Sequence, residues 1–484
     1  MSNELRNRAF SNMIWRFMER VGAQAVASII EIILARLIAP EAFGIVALVV
    51  VFTSILQVFV DSGLCNALIQ KKDADDLDFS SVFYFNMAMC FFLYGLMFFA
   101  APFIADFYNM PDLTPVIKVL SLMIIVSGIR NIQQAYVSRH LLFKRFFYAT
   151  LGGTVGAAVI GIAMAYKGFG VWAIVAQQLF RAAGAAVILW LTVKWRPKLM
   201  FSLERLKGLL SYGWKLLVSS LIDTGYNNLR NLIIGKLYTS GDLAFYDRAS
   251  YFPRFIVGNI NSSIDSVLLP TMSAEQDDRQ RVRAMTRRAI KSSTYLMMPC
   301  MMGLAVCAEP VIRLILTEKW LPCVPFLRIL CVSYAFQPIH TANLNAMKAL
   351  GRSDLFLKLE IIKKILGLIA VLLTMKISVL AMAYSALAVS IMNQIVNSWP
   401  NRKLLGYSYI DQIKDMLPQI FLSIGMGAVV YCVSFTGLSD IFMLLIQIPL
   451  GAFLYIAGSK LFKIDSFEYL LSMVQSFFAK RKIS

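Results

Sequence analysis

Arg20, Arg130, Arg181, Lys215, Arg230 and Arg254 lie inside long apolar runs, and so do the acidic Glu31, Asp61, Asp223 and Asp265. Each such group costs about 2.5 to 3.5 kcal/mol to insert in a bilayer unless it is paired or hydrated. Lys and Arg near the end of a run can snorkel to the headgroups, which accounts for Arg16, Lys118 and Lys215. Arg181 and Arg254 lie near the middle of theirs and need another explanation. Spacing supplies one: Arg16, Arg20, Gln24, Ser28 and Glu31 recur every three or four residues and so share one helix face, as do Lys215, Ser219, Asp223, Asn227 and Arg230. Arg254, Asn261 and Asp265 continue the pattern in the next run, and Gln57 with Asp61 and Gln337, Thr341 and Asn345 repeat it elsewhere. Lipid penalises every one of these residues, so the stripes predict a water-filled cavity between two halves of a bundle, with a net positive fixed charge. Arginine grips phosphate oxygens two at a time. The chemistry to expect is binding of a large anionic polar molecule, and a lipid-linked sugar diphosphate has that character. The acidic members are candidates for proton coupling or for ion pairing with nearby arginines.

The elements that must position these groups follow from composition. The chain has 484 residues, 58% hydrophobic and only 15% charged, with a formal net charge of +19 and a mean hydropathy of +0.66. Soluble domains carry roughly 25% charged residues, so the apolar material must face lipid. The positive balance then reflects basic cytoplasmic loops rather than nucleic-acid binding. Fourteen candidate spans can be drawn from Ile14 to Leu461, or twelve if the last pair, Met416 to Phe435 and Ile441 to Leu461, is set aside. About thirty basic residues fall on one side of the membrane and roughly seven on the other, which predicts that both termini are cytoplasmic. No cleavable leader is expected, because Met1 to Phe10 is polar and no short apolar core with a cleavage site follows. The chain also repeats itself: Trp15-Arg16 returns as Trp214-Lys215, Arg36-Leu37 as Lys236-Leu237, Asp61-Ser62 as Asp265-Ser266, and Arg139 with Phe143 as Arg352 with Phe356. An even-numbered repeat is parallel. The expected architecture is therefore all-α and membrane-integral, with an N-terminal lobe over 1–200, a second six-helix lobe over 201–402, and a final helix pair with a cytoplasmic tail over 403–484.

Signatures of soluble enzymes are missing: there is no G-x-x-x-x-G-K-[ST], no H-E-x-x-H, and only two histidines, His140 and His340. His340 reads as a packing or hydrogen-bonding residue, and Asp73-Ala74-Asp75 as a solvated acidic loop although it matches the D-x-D pattern of glycosyltransferases. The seven cysteines contain no C-x-x-C pair and read as small hydrophobes. No metal and no cofactor is expected. From Ser466 the tail spaces apolar residues helically and ends Lys480-Arg481-Lys482, which suits the inner membrane surface.

Four short stretches carry a family resemblance. They are Leu34-Ala35-Arg36-Leu37-Ile38-Ala39-Pro40-Glu41-Ala42-Phe43-Gly44, the run from Asp61-Ser62-Gly63-Leu64 through Leu68-Ile69-Gln70-Lys71-Lys72, Phe245-Tyr246-Asp247-Arg248-Ala249, and Ala349-Leu350-Gly351-Arg352. The chain resembles, over roughly Met13 to Asn401, the Wzx-type polysaccharide flippases of the multidrug/oligosaccharidyl-lipid/polysaccharide (MOP) exporter superfamily, including colanic acid and teichuronic acid exporters. The resemblance implies a two-lobed, MATE-like bundle of fourteen helices. It would move an undecaprenyl-diphosphate-linked repeat unit from the inner to the outer leaflet of a bacterial plasma membrane by alternating access, for exopolysaccharide or lipopolysaccharide synthesis. Glycosyltransferases would feed it and a polymerase would act after it; a monomer is expected, with membrane lipids and no nucleic acid as partners. Three other readings stay open, of which a flippase for the peptidoglycan lipid precursor would share the mechanism and the cationic cavity and is opposed only by the family-like loops. A multidrug antiporter of the same superfamily would want an acidic or aromatic cavity for its cation. A membrane glycosyltransferase or polymerase would want long outer loops with carboxylates, whereas Phe107 to Asp112, Thr239 to Asp242 and Thr317 to Leu321 are short.

Overall fold

A computed structural model of the chain describes residues 22–61, 64–71, 73–140, 142–472 and 475, and every regular element among them is helical. The first, α1, covers residues 22–37. It is followed by α2 (Pro40–Asp61), α3 (Leu64–Gln70), α4 (Asp76–Tyr108), α5 (Leu113–Leu120), α6 (Leu122–Arg139), α7 (Phe143–Tyr166), α8 (Val171–Thr192) and α9 (Leu203–Leu237). Then come α10 (Ser240–Ala274), α11 (Arg279–Val306), α12 (Ala308–Leu316), a 3-10 turn (Glu318–Cys323), α13 (Val324–Ala335), α14 (Gln337–Ala349), α15 (Ser353–Thr374), α16 (Val379–Leu405), α17 (Tyr409–Cys432) and α18 (Asp440–Leu461). Among the described residues nine helical segments are long and apolar enough to cross a membrane, or ten with α11 and α12 taken together. The long α9, α10 and α15 fall outside that group because charged residues interrupt α15 and polar as well as charged residues lower the hydropathy of α9 and α10. Phe99 and Phe103 on α4 are each 75% exposed, beside Phe91 and Phe92, and Ile365, Ile369 and Leu373 line α15 in the same way. Water would not tolerate apolar faces of this extent on a monomer, so they mark the surface that meets lipid.

Contacts divide the chain into two compact units, Met1–Ala244 and Phe245–Ser484. In the first, α7 lies along α8, α6 packs on both α4 and α8, and α2 packs on α9. One end of it is closed by ion pairs. Asp75 caps α4 in a capping box with Asp78, the fully buried Asp78 carboxylate receives Lys71 at 2.6 Å and Arg205 at 3.6 Å, and Lys198 reaches Asp76 at 2.6 Å. The backbone N–H of Asp78 holds the Asp75 carboxyl below its ordinary pKa. The acidic D-x-D loop is thus a helix cap tied to the 194–205 connection. Arg139 donates to the carbonyls of Leu68 and Lys71 and so secures the same loop. At the opposite end Lys236 donates to the carbonyl of Phe107, and a Cβ on Gly44 would meet the Ser240 carbonyl oxygen at 1.8 Å. Only glycine fits there, which explains the last residue of the first family-like stretch.

In the second unit α11 is central, packing on α13, α14 and α17, while α15 pairs with α16 and α17 with α18. Three expected spans contain a helix break, and two of them, Leu113–Arg139 and Glu318–Ala349, remain single membrane-length segments. The run Ser292 to Leu316 bends by 70° between α11 and α12; Pro310 has no N–H to donate to the Val306 carbonyl one turn back, so the α11 ladder stops there. Pro338 does the same to Tyr334 between α13 and α14, and Ser121 separates α5 from α6. His340 is buried and accepts from Asn397 Nδ2 at 2.9 Å. Cys90, Cys307, Cys323 and Cys331 are buried and Cys65 is half-buried, but Cys300 and Cys432 are exposed. Of the tail, residues 465–472 are helical, with Phe467 and Leu470 packed against Tyr295 and Tyr455; Lys480, Arg481 and Lys482 lie outside the described residues.

Candidate functional site

A cavity of about 560 Å³ opens within the first unit, walled by α1, α2, α6, α7 and α8. Helical spacing alone delivers its polar lining. Gln57 and Asp61 stand one turn apart on α2, Arg130 and Gln134 one turn apart on α6, and Gln178 and Arg181 three residues apart on α8, so each helix turns a matched pair toward the same space. Gln24 of α1 joins them, and Thr150 and Thr154 come from α7. Two guanidiniums thus face one carboxylate, and the cavity carries net positive charge.

Asp61 is held from two helices. Gln57 Nε2 donates to its Oδ1 at 2.9 Å, and Asn131 Nδ2, itself 4% exposed, donates to the same oxygen. The carboxylate is therefore fixed beside Arg130, which also feels the like charge of Arg181. Arg130 keeps donors in reserve: its Nε is buried with no hydrogen-bond partner among the described residues. A buried donor of this kind costs about 1 to 3 kcal/mol until something accepts from it. An anionic oxygen entering between Arg130 and Arg181 would meet that need and relieve the repulsion between the two cations.

Arg181 is placed by glycine. On α7, Gly152 and Gly153 face α8, small residues of the sort that let membrane helices approach closely. A Cβ built on Gly153 would meet the Arg181 carbonyl oxygen at 2.8 Å and the Ala185 nitrogen at 2.7 Å, both backbone atoms. We expect Gly153→Val to push α8 off α7, displace Arg181 and cut transport at least about 10-fold, a cost of about 1.4 kcal/mol. Gly156→Val should be nearly silent, since nothing lies within 4 Å of a Cβ there. Transport assays at matched membrane levels check the contrast.

The remaining candidates fall elsewhere. Arg20 lies outside the described residues, and Lys215 sits in α9 with a side chain that is also outside them. Glu31 on α1 and Arg230 on α9 are half-buried and Asp223 is exposed; none of the three lines this cavity. In the second unit Arg254 is exposed on α10 and donates through Nε to the Tyr334 hydroxyl at 3.0 Å. Asp265 accepts from Asn345 Nδ2 at 2.6 Å. That pairing repeats Asp61 with Asn131: in each unit a carboxylate on the second helix of the repeat is clamped by an amide from a later one. Asn131, Gln134 and Gln178 carry no charge and so leave no ionic anomaly within an apolar run. The repeat offset that links Arg139 to Arg352 also links Asn131 to the region of Asn345 and would have found the first. Among the described residues no three His, Cys, Asp or Glu side chains converge on a metal position.

A family described as polysaccharide biosynthesis protein matches residues 33–325. The chain is 26% identical over 438 residues to the lipopolysaccharide biosynthesis protein WzxC of Escherichia coli K12, covering 88% of each. It is 24% identical to the succinoglycan biosynthesis transport protein ExoT of Rhizobium meliloti (84% of this chain, 81% of the relative). It is 23% identical to the teichuronic acid biosynthesis protein TuaB of Bacillus subtilis (79% and 80%). Among solved structures, the fold matches the lipid II flippase MurJ in an inward closed conformation with a TM-score of 0.75 at 17% identity, covering 93% of this chain and 99% of that one. An inward-facing MATE multidrug transporter of the MOP superfamily gives 0.63 at 14% identity, covering 79% and 94%.

Proposed function

This chain belongs to the polysaccharide biosynthesis protein family, and from that premise we propose that it is a lipid-linked oligosaccharide flippase of the MOP superfamily. It is a multi-pass membrane protein and a transporter, not an enzyme. Its cargo is an undecaprenyl-diphosphate-linked repeat unit, carried by alternating access from the inner to the outer leaflet of a bacterial plasma membrane. Relatives named for lipopolysaccharide, succinoglycan transport and teichuronic acid support the cargo class.

The observation that carries the reading is the cavity in which Arg130 and Arg181 outnumber Asp61. A diphosphate presents oxygens that guanidiniums bind in pairs, and its polyprenyl tail stays in lipid while the sugar occupies the polar space. Arg130 and Arg181 form the primary contact in this scheme, with Arg20, Lys215, Arg230 and Arg254 serving the head group along its path. Glu31, Asp61, Asp223 and Asp265 act as coupling or ion-pair residues. The excess of basic residues in one set of loops supports cytoplasmic termini. Fourteen spans follow in this scheme if the polar α1, α9, α10 and α15 cross the membrane together with the ten apolar ones. In this scheme the two repeats run over 1–200 and 201–402, which assigns α9 to the second repeat although it packs with the first compact unit, and the clamps Asp61–Asn131 and Asp265–Asn345 support that repeat. The chain works as a monomer between glycosyltransferases that build the unit and a polymerase that consumes it.

Deleting the gene and locating the lipid-linked oligosaccharide tests this. Loss of surface polymer, with precursor trapped on the cytoplasmic leaflet, is the expected result, and the trapped sugar identifies the cargo. Normal polymer together with sensitivity to cationic drugs would instead make the chain a cation exporter.

A further inference from the structure

A second polar pocket, of about 310 Å³, lies in the second unit between α11 and the helix 465–472. Arg287, Arg288 and Lys291 line it from α11, and Asp465, Ser466 and Tyr469 face them. Two of the three cations are already engaged. Arg287 makes a two-pronged pair with Asp415 at 2.7 and 2.6 Å, and Asp415 also accepts from the Tyr407 hydroxyl at 2.8 Å. Lys291 meets Asp465 at 2.6 Å, and that contact holds the Asp465 carboxyl below its ordinary pKa, so the pair stays ionised.

Arg288 is different. It makes no ion pair among the described residues, and its guanidinium lies 4.5 Å above the Tyr469 ring. Stacking of this kind fixes the plane of the group while leaving its in-plane N–H donors open. With three cations against Asp415 and Asp465, the pocket keeps one net positive charge. Exposed apolar side chains flank its lining along the chain: Leu461 and Phe462, just before the short helix, are 76% and 69% exposed, and Leu296, one turn beyond Ser292 on α11, and Leu471 on the short helix are also exposed. A cationic pocket flanked along both of its helices by exposed apolar side chains suits the level of phospholipid headgroups.

We infer that this pocket binds the phosphate of an anionic phospholipid of the inner leaflet, with Arg288 as the anion contact, Tyr469 as its platform and the acyl chains lying along Leu296, Leu461 and Phe462. The inference rests on the proposed membrane orientation but not on the cargo. Bound lipid would pin the helix 465–472 against α11.

The test uses the full chain in nanodiscs of phosphatidylcholine doped with phosphatidylglycerol, counting retained lipids by native mass spectrometry after extraction. The wild type should hold one phosphatidylglycerol in preference to phosphatidylcholine. Arg288→Gln should lower that retention about 10-fold, the loss of one charge-assisted contact, and Tyr469→Leu about 3-fold through loss of the stacked platform. Arg402→Gln, at an exposed arginine in the last turn of α16 outside the pocket, should change nothing. Unchanged retention in Arg288→Gln, or an equal loss in Arg402→Gln, overturns the site. Displacement of the lipid by millimolar inorganic phosphate would make the pocket a site for free anions and overturn the lipid assignment. Because the readout is lipid retention and not export, a wrong cargo leaves these outcomes untouched.

Discussion

Arg181→Ala is expected to reach the membrane at the wild-type level and to lose lipid-linked oligosaccharide flipping by about 100-fold. The magnitude follows from the contacts a diphosphate would make. Charge-assisted hydrogen bonds contribute about 1.5 to 3 kcal/mol each, so losing one guanidinium removes about 3 kcal/mol of cargo binding. Folding should not suffer, since removing one of two neighbouring cations relieves repulsion on Arg130 rather than orphaning a partner. Arg130→Ala should lose as much transport, but it also deprives the clamped Asp61 of its neighbouring cation and should be somewhat less stable. Arg181→Lys is the discriminating variant: it keeps the charge and loses the fork, so it should recover only part of the activity. Arg254→Ala should lower export too, by less, because one donor is already committed to Tyr334. Measured in vesicles carrying labelled lipid-linked oligosaccharide, full activity in both Arg130→Ala and Arg181→Ala would end the cationic-cavity argument.

How far the sequence discloses this site depends on the kind of signal each residue carries. Lipid-facing helices such as α2, α4, α8 and α18 were readable because a bilayer demands an unbroken apolar run and nothing else in the chain produces one. Arg130, Arg181 and Asp61 were readable as anomalies within such runs. Their convergence was not, since it depends on Gly153 admitting α8 to α7, a contact between helices that single-helix periodicity does not encode. The breaks at Pro310 and Pro338 were hidden for a related reason. A proline within an apolar run can either kink a span or end it, and the neighbouring helices decide which. Amides are the quietest class: Asn131 clamps Asp61 without charge, motif or periodicity to announce it, and only the internal repeat with Asn345 gives it away.

The buried amides of the second unit make the strongest prediction about stability. Asn343, Ser398, Asn401 and Gln412 have no exposed surface and tie α14, α16 and α17 together. Asn343 donates to Gln412 Oε1 at 2.8 Å and accepts through Oδ1 from Gln412 Nε2 at 3.0 Å and from Asn401 Nδ2 at 2.6 Å, while Ser398 adds a bond to Gln412 at 3.0 Å. No water reaches this cluster to replace a lost partner, so Asn343→Leu strips bonds from two buried amides at once. The expected cost is about 3 kcal/mol, read as a lower melting temperature of the purified protein. Gln412→Leu should cost a similar amount. The double variant should cost about as much as either alone, because the second change removes groups the first had orphaned; strict additivity would show that the two amides do not act as a unit. The effect should also reach transport. Asn345, which clamps Asp265, lies two residues beyond Asn343 on α14, so a helix no longer anchored by its amides also loosens the carboxylate held at its other face. Asn345→Leu, which spares the amide cluster, should therefore impair export while leaving the melting temperature closer to wild type than Asn343→Leu does.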